Sequence, residues 1–280
     1  MSESVPEISL AEAPEILKPG DVLLMRGDSA VSDLIMTLAG GDYSHAGFWS
    51  AAGDIIDAGP AGVLHVPLDE RLYEEDVIDV FRFHSDDGEE MGSDGYPEAN
   101  VDASYENYLN KPDKPTRFAY HTLFLVAILF IVKAGTEHMP SKKIVRLMFE
   151  WAMEMMNDWL KHGQKAVICS GLVYRAFDEA LYHEHPHRYQ IHVDNPYVLH
   201  PDGPDDAPLP SLGGQLDALG DEAKMARQFL AAYATSLGLT STVAADPDAV
   251  AHHVYADFVN PADLQRSRNL TRIGRVKREY

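Results

Sequence analysis

The chain has 280 residues, of which 45% are hydrophobic and 24% charged, enough apolar sequence to bury a core. Its formal net charge of -21 argues against a nucleic acid or an anionic membrane surface as the main partner. A single cysteine, Cys169, excludes an intrachain disulfide. Met1 to Pro14 is acidic and lacks the basic start and apolar core of a signal peptide, so a cytoplasmic location is the default expectation. Export by a signal-less route would leave no mark in the sequence.

In chain order, residues 1–17 read as a loosely ordered leader. Lys18-Pro19-Gly20-Asp21 is a turn into a short buried strand, Val22 to Met25. Ser29 caps a helix through Leu38, which Gly40-Gly41 ends. Three strand-like pieces follow, Ser44 to Ser50, Asp54 to Ala58 and Val63 to Pro67, with Ala52-Gly53-Asp54 as the first hairpin turn. Val77 to Arg82 is a further strand. Residues 84–116 are rich in Asp, Glu, Gly, Asn and Pro and read as a loop or insertion.

Helical patterns then dominate. Phe118 to Lys133 is apolar on nearly all sides, and its run Leu123 to Val132 is about half of the ~20 residues that a membrane-spanning helix requires. No spanning segment is therefore expected. Ser141 to His162 places Ile144, Met148, Trp151, Met155 and Trp159 on one face. Cys169 to Tyr182, Gln215 to Leu237 and Asp248 to Phe258 follow, and Asn260-Pro261-Ala262-Asp263-Leu264 turns into a short last helix. Residues 183–250 form a second insertion. Strands first and helices second predict an α+β fold, with a small antiparallel sheet packed against helices.

Three positions carry the chemical reading. Cys169 follows an apolar approach and is followed by small residues that open a helix, where unpaired N–H groups and the helix dipole favour a thiolate. Taken alone, a lone cysteine there is more often inert core packing. His45 shares a strand face with Gly47 and Trp49 and supplies a base. Asp57, on the next strand of a tight hairpin, comes near the beginning of the His45 strand, where a carboxylate fixes the imidazole tautomer. Each residue separately has a bland structural explanation, and the joint arrangement is what points to a catalytic triad. Tyr43, beside the histidine, is a guess for an oxyanion donor, and His65 is the reserve third member.

These strings resemble the permuted NlpC-type papain-like cysteine hydrolases, the YiiX-like group, and more distantly the lecithin:retinol acyltransferases. Lys18-Pro19-Gly20-Asp21-Val22 is similar to their opening strand, and Tyr43-Ser44-His45-Ala46-Gly47 to their histidine strand. Ile55-Ile56-Asp57-Ala58 with Gly62-Val63 is similar to their carboxylate segment, and Cys169-Ser170-Gly171-Leu172-Val173 to the start of their nucleophile helix. Pro261-Ala262-Asp263-Leu264, with Ser267, Asn269 and Leu270, is similar to a frequent closing segment.

The resemblance implies a circularly permuted papain-like domain over residues 18–280, with histidine and carboxylate preceding the cysteine. It implies cleavage of an amide bond through a Cys169 acyl-enzyme, with no cofactor. A lipid acyltransferase or phospholipase of the same fold and a catalytically silent binding module are the alternatives, so the expected partner is a small-molecule, peptide or lipid acyl substrate. The group usually carries Glu at the third position, and the acyltransferases a second His. The shorter Asp57 would need a closer approach to His45 or a bridging water.

No metal is expected. His183, His185, His187 and His192 surround Pro186 in a polar stretch with no cysteine nearby, and only His183 and His187 have the i, i+4 spacing. His252 and His253 are adjacent and would point about 100° apart on a helix.

Overall fold

The computed structural model describes residues 5–59, 62–105, 108–109, 127, 146–147, 149–150, 152, 168–180, 188–198 and 210–278. The strands are β1 (Glu7–Ser9), β2 (Val22–Arg26), β3 (His45–Trp49), β4 (Ile55–Gly59), β5 (Gly62–Val66), β6 (Val77–Phe83) and β7 (Leu270–Lys277). The described helices are α1 (Ala13–Ile16), α2 (Ala30–Ala39), α3 (Leu68–Glu74), α4 (Glu98–Tyr105) and α5 (Cys169–Asp178). They continue with α6 (Leu212–Ala218), α7 (Ala223–Ser236), α8 (Ser241–Ala244), α9 (Pro247–His253) and α10 (Pro261–Gln265). The fold is α+β.

The seven strands form one sheet in the order β1-β7-β6-β2-β3-β4-β5. The sheet is mixed rather than purely antiparallel, because β1 pairs in parallel with β7. Of residues 1–17, expected as a loose leader, the described residues 5–17 supply β1 and α1, and bury Ile8, Ala13 and Leu17. The strand β7 closes the sheet between the first strand and β6.

The alternation of the strands gives the sheet two apolar faces. Val22, Leu24, Ala46, Phe48, Ile56, Ala58 and Phe81 pack with Cys169, Leu172, Val173 and Ala176 of α5. Leu23, Met25, Trp49, Ile55, Ile78 and Val80 pack with Ala13, Leu17, Leu68 and Leu72, so α1 and α3 cover the opposite face. The connection from β5 to β6 runs through α3, and because those strands are separated by β4, β3 and β2, the connection crosses over all three.

Local chemistry accounts for the predicted elements. The Ser29 hydroxyl accepts from Ser32 N–H at the start of α2, and the chain leaves the helix through Gly40. Buried Asp21 of the Gly-Asp turn accepts two bonds from Arg82, at 2.8 and 2.7 Å, and one from Lys18 N–H at 2.8 Å. The motif therefore pins β2 to β6. Asn260 caps α10 reciprocally with Asp263.

The first expected insertion contains α4, and the second contains α6 to α8 and the start of α9, with a left-handed Gly220 breaking the expected continuous helix. Most of Phe118 to Lys133 and Ser141 to His162 lies outside the described residues. Among the described residues, no helix is long and apolar enough to cross a membrane.

Candidate active site

His45 is the first residue of β3, at the end of the sheet. In register, His45 lies opposite Met25 of β2, and Gly47 lies opposite Asp57 of β4. His45, Gly47 and Asp57 therefore share one face, with Asp57 two residues further along than the histidine. A Cβ at position 47 would stand 2.9 Å from both Ile55 Cγ2 and Ile56 O, so only glycine fits between them. With no side chain at 47, the diagonal is open. His45 Nε2–H donates to Asp57 Oδ1 at 2.5 Å, so the aspartate needs neither a bridging water nor a longer side chain.

Asp57 is fully buried, and an unpaired carboxylate there would be costly. Its second oxygen, Oδ2, accepts from the Arg71 guanidinium of α3, which also reaches Glu74 at 2.5 Å. Arg71 is absent from the sequence-based site because it arrives from a crossing helix. No local motif marks it.

Cys169 is the first residue of α5, after Ile168 in an extended conformation. The first N–H groups of a helix have no partner within it, so they are free to face the sulfur or a developing oxyanion. Burial alone would push the thiol up. The His45 ring and the N–H groups of Ala46 and Ser170 outweigh that effect and hold Cys169 below its ordinary range. Nε2 of His45 is engaged by Asp57, and the same ring is hydrogen-bonded to the Cys169 side chain. The structure thus brings Cys169, His45 and Asp57 together from α5, β3 and β4.

The helix that begins at Cys169 is clamped along its length. Ser170 Oγ donates to Val259 O at 2.7 Å, and Arg175 donates to Asp257 at 3.0 Å. A Cβ at Gly171 would stand 3.0 Å from Ala256 O and 3.2 Å from Asp257 Oδ1, so this glycine permits close contact with the turn Tyr255–Phe258. The Cys-Ser-Gly string is consequently a packing signature as much as a chemical one.

Other sequence candidates fall elsewhere. The Tyr43 hydroxyl donates to buried Asp79 at 2.5 Å, and Asp79 also binds Arg272 and Arg275. Burial and Asp79 together push the tyrosine up, so this hydroxyl is committed to a structural cluster rather than to the cysteine. His65 lies opposite Ile56, on the other face from Asp57, and contacts Asp54 at 2.7 Å. His192 accepts from Arg268 at 2.9 Å, while His252 and His253 are exposed. His183, His185 and His187 lie outside the described residues. Among the described residues, no group of three or more His, Cys, Asp or Glu is arranged to hold a metal.

No protein-family model, no curated protein and no solved structure matches this chain.

Proposed function

We propose that this chain is a papain-like cysteine hydrolase that cleaves an amide bond through an acyl-enzyme on Cys169. The observation that carries this reading is the continuous chain from Cys169 to His45 to buried Asp57. A structural cysteine needs no base, and a base needs no buried carboxylate to fix its tautomer. The combination is the arrangement that nucleophilic catalysis requires.

In the proposed reaction His45 takes the Cys169 proton, and the thiolate attacks the carbonyl carbon of the amide. The negative charge that develops on the carbonyl oxygen is met by the Cys169 backbone N–H at the start of α5. Collapse of the tetrahedral adduct breaks the C–N bond, and the imidazolium returns its proton to the leaving amine. Water, with His45 again as base, then releases the acid and the free thiol. Asp57 keeps the Nε2–H tautomer throughout, so Nδ1 faces the sulfur. The order of the elements, histidine and carboxylate strands before the nucleophile helix, supports the permuted architecture that the sequence strings suggested.

The test is labelling of folded protein with an acyl-directed thiol probe, followed by mass spectrometry of the Cys169 peptide. We expect labelling at Cys169 that His45→Ala abolishes. Equal labelling of both proteins would overturn the catalytic reading in favour of a silent binding module. A recovered adduct in which a lipid acyl chain is held on Cys169 would move the substrate to the acyltransferase class.

A further inference from the structure

The triad carries a charge that it does not balance by itself. One oxygen of Asp57 faces His45 and the other faces Arg71, so the arginine offsets part of the negative field that would favour an imidazolium. A second carboxyl stands close by. Glu75 follows Arg71 by four residues at the end of α3, and such pairs lie on the same helix face about 6 Å apart along the axis. The helix crosses the sheet from β5 towards β6, and neighbouring strands are about 4.8 Å apart. Arg71 reaches Asp57 of β4, and the chain beyond α3 continues towards β6 past β3 and β2.

The local hydrogen bonds place Glu75 at the same end of the sheet as His45. Asp76 N–H donates to Arg26 O at 2.8 Å at the end of β2. One residue earlier, Met25 pairs with His45 and accepts from Ser44 N–H at 3.0 Å. The carboxyl itself turns inward. Glu75 Oε2 is buried with no hydrogen-bond partner, and a Cβ on Gly27 would lie 3.1 Å from it and 3.7 Å from Ser32 Oγ. A buried carboxylate oxygen without a partner costs free energy, and such groups in folded proteins call for an explanation.

We propose that Glu75 is a positioning residue, a second carboxylate that holds the His45 imidazolium in place opposite the Cys169 thiolate. The proposal rests on the cysteine–histidine pair described above. Glu75 acts through His45 and touches no substrate. With Glu75 ionised, the charges become Cys169 negative, His45 positive, Asp57 negative, Arg71 positive and Glu75 negative. The imidazolium then has a second carboxylate nearby as well as the one bound directly to Arg71.

Burial pushes the Glu75 carboxyl above the ordinary carboxylate range, while His45 and then Arg71 pull it back. Glu74 and Asp76 on either side in sequence push it further up. Arg278 reaches the Glu75 carbonyl at 3.4 Å, and exposed Arg26 and Asp28 flank Gly27. The pair is therefore weaker in acid, where Glu75 is neutral, and stronger as pH rises through the Glu75 range and its charge appears.

Cys169 is the only cysteine, so its alkylation by iodoacetamide reports the site without any substrate. The rate is measured against pH in wild type, Glu75→Gln, Glu75→Asp, Glu74→Gln and His45→Ala. Wild type is expected to show an extra step between the ordinary carboxylate range and neutrality, which Glu75→Gln removes. At pH 7 Glu75→Gln should react several-fold more slowly, Glu75→Asp should keep the step, and Glu74→Gln should keep it but move it to lower pH, because Glu74 pushes the Glu75 carboxyl up. A purely structural role would scale the whole curve without changing its shape.

A Glu75→Gln curve that superimposes on wild type, or is a uniformly scaled copy, overturns the proposal. If that variant does not fold, absence of the extra step from the wild-type curve does the same. The two readings fail separately. An unchanged His45→Ala profile sinks the catalytic pair itself, whereas a large His45→Ala effect beside a scaled Glu75→Gln curve sinks only the role of Glu75.

Discussion

Asp57→Asn tests the site and its support together, because two donors converge on this one side chain. The carboxylate accepts from His45 Nε2–H on one oxygen and from the Arg71 guanidinium on the other. An amide offers one acceptor, so one donor is orphaned whichever way it is turned. Arg71 is also left with Glu74 as its bonded counter-charge and Glu75 nearby, and the Glu74 side chain is about half exposed. Breaking a buried ion pair by removing one partner costs ~3–5 kcal/mol. The remaining Glu74 contact argues for the lower end, and at roughly 2–4 °C per kcal/mol the melting temperature should fall by about 6–12 °C.

The companion is Asp57→Asn with Arg71→Met. Methionine removes the stranded charge and keeps an apolar stem, so the double variant should recover at least half of the lost melting temperature. Its acylation should not recover. Without the carboxylate the His45 tautomer is no longer fixed, and the comparable change in serine triads costs about 10⁴-fold. Calorimetry gives the first quantity, and burst acylation by an activated ester, well below the melting transition, gives the second. Wild-type stability in Asp57→Asn refutes the ion-pair argument. Wild-type acylation in either variant refutes the role of Asp57.

Three further outcomes separate catalytic from structural residues. Tyr43→Phe removes one of several donors to buried Asp79, so it should lower stability by about 1 kcal/mol and leave acylation within twofold of wild type. A larger loss of acylation than of stability would return Tyr43 to the oxyanion role. Gly171→Val forces a branched side chain against Ala256 O and should cost about 1–3 kcal/mol. The displaced first turn of α5 should slow Cys169 alkylation in parallel, and an unchanged rate would show that the turn is not what places the sulfur. His65→Ala should change burst acylation little, because His65 is on the face away from Asp57; a loss equal to that of Asp57→Asn would reassign the third position.

The sequence was legible where one local rule sufficed. Alternating apolar residues around Ala52-Gly53-Asp54 specify a hairpin, and a hairpin fixes which residues share a face, so His45 and Asp57 could be paired in advance. The small offset was not readable, since Asp57 faces Gly47 and reaches His45 on the diagonal. The short strand β1 was not readable either. Three residues carry almost no periodic signal, and their partner, β7, is at the far end of the chain.

The same limit explains why the support of the triad was invisible. Arg71 and Glu75 sit in a charged stretch between two strands, and by pattern alone such a stretch is a solvated connection. Their meaning comes from the strand order. Because β6 does not pair with β5 but lies beyond β2, the chain must cross β4, β3 and β2, and it does so on the His45–Asp57 face. Leu68 and Leu72 bury the crossing helix against the sheet, and that contact sets the rotation that turns Arg71 towards Asp57. Substituting Leu72 by Ala should therefore act at a distance. It should cost about 2–5 kcal/mol as a core truncation and also loosen the Arg71–Asp57 pair. Repacking with Leu72→Met, which conserves volume, should spare both. If Leu72→Ala slows burst acylation no more than an equally destabilising truncation in the other core cluster, such as Leu230→Ala in α7, the crossing helix carries no positional information. The support of the triad would then rest on Asp57 and His45 alone.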